Sequence, residues 1–380
     1  MTALAPHETD GLVHSTLSTP MLQPREVQDR ALFDVEMVRV FGRSWVWLGD
    51  VEDIPEPGDF LTGRIGAQPV IVVRQADGSV RGFLNACRHR ASPLAQEPLG
   101  HCGRTLTCPY HNWSYAIDGR LINVPDQERM YPDGLPKDDY GLVPIRIEVA
   151  WDLLVFGCLS HRAPGFREWI APLADRYDRY RFDTFRRFHR QLDQTYPINW
   201  KAFVENSNDD YHVRFVHRRF NESRHNLDTK VRYDGRTCSG YKPHRVDVDD
   251  PSGGRSDLPD EDLRGHYADF IYPNLTPLPY PTQLILVRAD PLAPDSTRLF
   301  SRIYGRTDDI AEQELQFASL EATNAEDTAM VGLLMANLRS PFFRVGPPSR
   351  WEGRAAHVMG LVREDVATPL APDEFTAPAE

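Results

Sequence analysis

Cys87 and His89 stand one residue apart, and after a gap of eighteen residues Cys108 and His111 follow with two residues between them. Two thiolates and two imidazoles interleaved in this way suit a centre whose two metals take different ligands, sulfur on one and nitrogen on the other. Zinc accepts the same four side chains, although structural zinc sites more often open with a Cys-Cys pair. Farther along, His212 and His217 stand five apart behind Glu205, Asp209 and Asp210. Two imidazoles and one carboxylate on one face of a mononuclear iron(II) leave positions open for dioxygen. Five residues advance a regular helix by about 500°, so these two rings would point about 140° apart. They converge only if the helix ends or is distorted between them. A helix carrying two unrelated histidines is the plain alternative.

The flanking residues sharpen the first motif. The loops read Asn85-Ala86-Cys87-Arg88-His89-Arg90 and Cys108-Pro109-Tyr110-His111-Asn112-Trp113, each after a short β-type run, Val80 to Leu84 and Thr105 to Thr107. Beyond the second loop, an Asp118-Gly119 turn between Ser114–Ile117 and Arg120–Val124 signals a hairpin. Two loops presented from adjacent hairpins can close on one cluster from opposite sides. Here the chain resembles the Rieske non-haem iron ring-hydroxylating oxygenase α-subunits, whose pattern is Cys-x-His-Arg-Gly and then Cys-Pro-Tyr-His-Gly-Trp. It departs at Ala91 and Asn112, where the family usually has glycine. Both positions can need unusual backbone angles, and Asn tolerates the left-handed region better than most residues.

The second motif resembles the same family. Glu205-x3-Asp209-x2-His212-x4-His217, preceded by Asn199-Trp200-Lys201, matches its mononuclear iron signature. The resemblance implies that Cys87, His89, Cys108 and His111 hold a [2Fe-2S] Rieske cluster, and that His212 and His217 are iron ligands. Asp209 would link the iron site to a Rieske histidine. The third iron ligand is expected to be Asp327, in Ala325-Glu326-Asp327 on a helix-forming run from Ile310 to Leu338, as in the choline- and carnitine-oxygenase-like branch. Glu364-Asp365 is the competing acidic pair. Asp210 is adjacent, but its spacing to His212 does not fit. Glu205, Asn206 and Asn208 are candidates for hydrogen bonds around the iron, although Asn at a helix end is more often a cap.

These sites need a particular scaffold. Short β runs with turns from Ser44 to about Cys158 describe a small β domain: Trp45–Leu48, Pro69–Val73, the two ligand hairpins, Leu142–Val149 and Leu153–Phe156. A helical connector around Phe166–Tyr180 leads to a mixed domain, with strands expected at Phe188–Thr195, Lys230–Tyr233, Gln283–Val287 and Arg298–Tyr304. The resemblance implies an α+β fold, a β-rich Rieske domain followed by a helix-grip catalytic domain of antiparallel sheet and helices. The expected division is a mobile N-terminal arm over 1–22, a helix over 23–43 packing on the catalytic domain, a Rieske domain over 44–160, a catalytic domain over 161–366 and a disordered tail over 367–380. Asp247–Arg264, rich in Gly, Pro and acids, reads as a flexible loop or lid. Phe270–Pro277 resembles a family segment beside the substrate cavity, or is a Pro-broken edge strand.

Composition sets outer limits. The chain has 380 residues and a net charge of −12, which argues against a nucleic-acid partner. It has no apolar run long enough to span a membrane and no secretory pattern at its N-terminus, so cytoplasm is expected. Five cysteines leave Cys102, Cys158 and Cys238 as free thiols once Cys87 and Cys108 are assigned.

The resemblance further implies a homotrimer in which each cluster feeds the neighbouring subunit's iron. NAD(P)H would supply electrons through a separate reductase, with or without a ferredoxin, since the chain shows no nucleotide-binding glycine motif. His111 and Asp209 would pass each electron from the cluster to iron held by His212, His217 and Asp327. Dioxygen would be the co-substrate in hydroxylating or oxidatively demethylating a small organic molecule, an amine or a substituted aromatic. Ring cis-dihydroxylation is the alternative within the class. An electron-transfer Rieske protein and a zinc-stabilised binding protein are the alternatives outside it.

Overall fold

The structure is a computed structural model describing residues 20–217, 229–243, 257–340 and 342–375. Its contacts divide the chain into two units, one of residues 37–164 with 370–380, the other of residues 1–36 with 165–369.

In the first unit, β1 (Val46–Asp50), β2 (Asp59–Ile65), β3 (Gln68–Arg74), β4 (Val80–Leu84) and β5 (Leu99–His101) join β9 (Pro144–Ala150) and β10 (Leu154–Cys158) in one sheet, ordered β1-β10-β9-β4-β3-β2-β5. β6 (Thr105–Thr107), β7 (Ser114–Ala116) and β8 (Leu121–Asn123) form a separate three-stranded sheet. Ile71 and Val73 of β3 and Phe83 of β4 pack with Leu106, Trp113 and Tyr115 in one core. That core carries both cysteines of the first motif. The β2 and β5 segments had no expected counterpart. β5 is three residues long with two of them exposed, which leaves little alternation to read.

The second unit is built on seven strands in the order β11-β17-β16-β15-β14-β13-β12. They are β11 (Arg186–Tyr196), β12 (Lys230–Asp234), β13 (Thr237–Pro243), β14 (Gly265–Ile271), β15 (Leu275–Pro279), β16 (Gln283–Ala293) and β17 (Ser296–Gly305). All neighbours are antiparallel. The long helix spans Ile310–Leu338, starts at a cap where Asp309 accepts from the Ala311 amide, and buries Phe317, Leu320, Val331, Met335 and Leu338 along one stripe. A C-terminal helix follows at Gly353–Ala367.

Four expectations need correction. The helix expected over 23–43 is three pieces, Pro24–Gln28, Arg30–Glu36 and a π turn at Met37–Phe41. Asp29 interrupts it, because its carboxylate accepts from the amides of Ala31 and Leu32 and so caps a new helix. Glu36 forms a buried ion pair with Lys201 in the second unit, while Met37 onward belongs to the first. The tail expected to be disordered from 367 is placed through Phe375. Glu374 is buried, and its carboxylate accepts from the Ser160 hydroxyl at 2.6 Å.

Phe270–Pro277 is no edge strand. β14 and β15 lie inside the sheet, and Pro277 pairs with Leu286. In the loop expected over 247–264, residues Asp260–Leu263 form a helical turn, and 247–256 lie outside the described residues. Residues 1–19 of the expected arm and 376–380 of the tail also lie outside them.

Candidate metal centres

The two loops of the first motif fold by one rule. The Ala91 amide donates to the Cys87 carbonyl at 2.9 Å and the Asn112 amide to the Cys108 carbonyl at 3.0 Å. The Cys87 amide donates to Ser92 and the Cys108 amide to Trp113, both at 2.8 Å. Closing each turn puts its fifth residue in the left-handed region, Ala91 at φ 58° and Asn112 at φ 56°. These are the two positions where glycine would be free of strain.

The four side chains gather with a marked polarity. Cys87 and Cys108 are buried, whereas His89 is half-buried and His111 is exposed. The imidazoles meet edge to face with centroids 4.5 Å apart, and His89 stacks on Trp113 at 4.9 Å. Nδ1 of His89 is buried with no hydrogen-bond partner, as a nitrogen kept for a metal would be. Burial, with the neighbouring Cys108, raises the Cys87 thiol. At Cys108 burial opposes ionisation, but the amides of Tyr110 and His111 outweigh it and lower the thiol. The Tyr115 hydroxyl lies 3.2 Å from Cys87 Sγ and accepts from the Arg88 amide at 3.0 Å. Tyr115 was not singled out in the sequence. Its signal was an aromatic with a hydroxyl one strand beyond the second loop. Two thiolates on the buried side and two imidazoles on the open side fit a [2Fe-2S] cluster.

The second motif converges because its helix stops. Trp200–Ser207 is helical, with the Asn199 side chain accepting from the Lys201 amide as its cap. The chain then breaks before one further turn, Val213–Val216, with His212 at its start and His217 at its end. The two Nε2 atoms lie 3.3 Å apart. Asp327, from the long helix, places Oδ1 at 3.3 Å from Nε2 of His212 and 3.0 Å from Nε2 of His217. Metal–ligand bonds of about 2.1 Å set neighbouring donors of an octahedron about 3.0 Å apart, so this triangle has the size of one facial triad. Asp327 Oδ1 is buried without a hydrogen bond, and the three residues are the one group found among the described residues whose ligand atoms lie close enough to share a single ion.

Carboxylates also stand behind both rings. Glu326 Oε2 is 2.7 Å from Nδ1 of His217, which leaves Nε2 with its lone pair. Asp209 Oδ2 is 3.1 Å from Nδ1 of His212, and its Oδ1 accepts from the Tyr211 amide at 2.6 Å. Burial alone would lower His212, but Asp209 and Asp327 outweigh it and hold the imidazole up at about 9 without metal. The two imidazoles outweigh burial at Asp327 and hold it well below the usual carboxylate range.

All the remaining candidates except Asn206 have other partners. Glu205 accepts from the Leu22 amide at 2.7 Å, tying the N-terminal segment to the motif helix, and burial pushes its acid up to about 7. Asn208 donates to the Val204 carbonyl of its own helix at 2.9 Å, and Asn206 keeps a buried, unpartnered Nδ2. Asp365 is taken by Arg236 and the Tyr272 hydroxyl. Asp210 is buried and gripped by Nε and Nη2 of Arg354, one on each carboxylate oxygen, with Lys242 at 3.2 Å. Neither Glu326 nor Arg354 was picked out as a site residue. The one signal for Glu326 was its place beside Asp327.

Residues 44–141 match the Rieske [2Fe-2S] domain, and residues 174–367 match the ring hydroxylating alpha subunit (catalytic domain), half of the chain. The chain belongs to the ring-hydroxylating alpha-subunit family. The family pairs a [2Fe-2S] Rieske domain with a catalytic domain that binds mononuclear iron. Over 210 residues the chain is 36% identical to the biphenyl 2,3-dioxygenase subunit alpha of Rhodococcus jostii, covering 51% of this chain and 43% of that one. Over 189 residues it is 34% identical to a glycine betaine monooxygenase oxygenase subunit of Pseudomonas aeruginosa, covering 50% and 43%. The matched stretch is thus less than half of either relative. Two solved structures share the fold: the quaternary ammonium Rieske monooxygenase CntA (TM-score 0.79, 18% identity, 93% of this chain and 97% of that one) and naphthalene 1,2-dioxygenase from Rhodococcus sp. (TM-score 0.79, 20%, 96% and 99%). Among the described residues no helix is long and apolar enough to cross a membrane.

Proposed function

We propose that this chain is the oxygenase component of a Rieske system that uses dioxygen, with electrons from NAD(P)H delivered by a separate reductase and, where present, a ferredoxin. It hydroxylates or oxidatively demethylates a small organic molecule. The observation that carries this reading is the triangle of His212, His217 and Asp327 with a carboxylate behind each ring. An electron-transfer protein has no use for such a site. The cluster supplies single electrons and the bound iron supplies the chemistry of dioxygen reduction.

The residues have separate work in this reading. Cys87, His89, Cys108 and His111 hold the cluster, and its exposed edge is His111. His212, His217 and Asp327 would hold the iron. Glu326 accepts from Nδ1 of His217, and Asp209 stands 3.1 Å behind Nδ1 of His212, so that each Nε2 faces the metal position. Asp209 is half-buried beside His212, placed to accept from a second imidazole as well. We assign that imidazole to His111 of another copy in a homotrimer. Likeness to a biphenyl 2,3-dioxygenase subunit supports ring cis-dihydroxylation as the second reading.

Iron content separates oxygenase from carrier. Reconstituted protein should be red-brown with three irons per chain, and His212→Ala should keep the colour with two. Asp209→Ala should retain all three and a reducible cluster, yet form no product. Mixed trimers of Cys87→Ala and His212→Ala chains should regain activity. A wild type holding two irons, or verified mixed trimers without activity, would contradict the reading or its path between subunits.

A further inference from the structure

The two imidazoles of the cluster motif lead to different surroundings. His111 is exposed, with the Tyr110 ring 3.8 Å away and the Arg90 guanidinium over that ring at 5.8 Å. His89 instead lies flat on Trp113, 9° from parallel at 4.9 Å. Trp113 is buried, and its ring meets Tyr131 at 6.3 Å and Tyr140 at 6.1 Å, both edge to face. These are contact distances for aromatic pairs. Tyr131 and Tyr140 are half-buried and stand on the segment of residues 125–140, where Met130 beside Tyr131 is exposed.

An unbroken line of touching rings thus runs from a cluster ligand to the surface. Electron tunnelling decays less steeply through bonded and touching atoms than across a gap, so such a line is a fast route. The segment is braced at the right place, because Arg88 of the first ligand loop donates to the Asp139 carbonyl at 3.4 Å and Lys137 to the Ile122 carbonyl at 3.1 Å. The charge around the outer end of the route is one-sided. Asp126, Glu128, Asp133, Asp138 and Asp139 are all exposed there, against two bases, whereas the charge beside His111 is Arg90. The two edges of the cluster therefore suit partners of opposite sign.

We propose that electrons enter this chain through His89: a carrier with a basic face docks on residues 125–140 and passes one electron over Tyr131 or Tyr140 and Trp113. This rests on the oxygenase reading, which gives His111 to the iron of another copy. The two imidazoles then divide the work, His89 for entry and His111 for exit. The carrier, a reduced iron–sulfur protein or domain, is oxidised by one electron and the cluster is reduced by one; no bond is made or broken. Electron-transfer encounters bury less than about 1,200 Å² in total, so a segment of this size can hold the partner.

Running the route backwards tests it with a defined partner. Iron- and cluster-loaded protein is reduced with dithionite and mixed anaerobically, in stopped flow, with ferric mitochondrial cytochrome c, whose docking face is lysine-rich, or with the same cytochrome after its lysines are succinylated. At low salt the native cytochrome should oxidise the cluster about tenfold faster than the succinylated one, and the difference should close at high salt. Combined Asp133→Asn, Asp138→Asn and Asp139→Asn should slow the native cytochrome about tenfold. Tyr131→Leu with Tyr140→Leu should lose most of the rate at saturating cytochrome, Tyr131→Phe with Tyr140→Phe should keep it, and Tyr110→Leu should leave it unchanged. The visible spectrum and midpoint potential report an intact cluster in each variant. If the leucine pair loses the cluster, the asparagine variant and the two cytochromes still decide. Equal rates for the two cytochromes, a saturating rate unmoved by the leucine pair, or slowing by Tyr110→Leu instead overturns the assignment. The expected discrimination in a chain with two irons and no product would overturn the oxygenase reading and leave the entry route standing.

Discussion

Nε2 of His212 and Nε2 of His217 lie 3.3 Å apart, although a continuous helix would turn them away from each other. The break after Ser207 brings them together, and a buried fork fastens that break: Arg354 grips both carboxylate oxygens of Asp210 and donates to the Ala268 carbonyl. The metal triangle therefore depends on a charge cluster that touches no metal. Gly240 lies directly under this guanidinium, where an added Cβ would meet its carbon at 3.0 Å.

Removing one partner of that cluster should cost far more than its surface counterparts. Asp210→Ala strands Arg354 and Lys242 as buried cations, and a loss of about 3–5 kcal/mol in urea unfolding is expected. Metal affinity should fall with it, since His212 is two residues away. Unfolding within about 1 kcal/mol of wild type would contradict this role.

Iron loading should depend on pH in a direction set by His212. With its metal-free imidazole held at about 9, the ring carries a proton at neutral pH that the metal must displace. Burial would lower His217 too, but Asp327 and Glu326 outweigh it and raise the ring, so affinity should rise from pH 6 towards 9, and calorimetry in buffers of different ionisation heat should show at least one proton released per iron at pH 7. A flat profile would mean that the ring is already neutral.

Glu326→Ala should weaken iron binding about tenfold to a hundredfold, measured against a competing chelator, because His217 loses the acceptor that fixes its tautomer. The cluster's visible spectrum should not change. Glu326→Asp should recover little, since the shorter side chain cannot span the 2.7 Å contact to Nδ1 from the same backbone position.

Tyr115→Phe removes the hydroxyl 3.2 Å from Cys87 Sγ. Loss of one hydrogen bond to a cluster sulfur destabilises the reduced, more negative form, so the midpoint potential should drop by about 50 mV. Protein-film voltammetry on the isolated oxygenase reads this directly. A potential within a few millivolts of wild type, about a tenth of that shift or less, would remove Tyr115 from the set of tuning groups.

Local chemistry was legible in the chain itself. The types and spacing of Cys87, His89, Cys108 and His111 specify a mixed thiolate and imidazole centre, because loop closure is decided within five or six residues. The same short range announces the strained positions Ala91 and Asn112 and the span of the long helix from Ile310 to Leu338. Nothing local says which carboxylate meets His212, since Asp327 and Asp365 sit on similar helices and only packing sends one to the histidines and the other to Arg236. Packing likewise decides that Glu374 docks on Ser160 and that the Pro-containing strand Leu275–Pro279 lies inside the sheet. Such pairings join residues far apart in the chain and are chosen by burial and register, which a one-dimensional pattern of residue types does not contain.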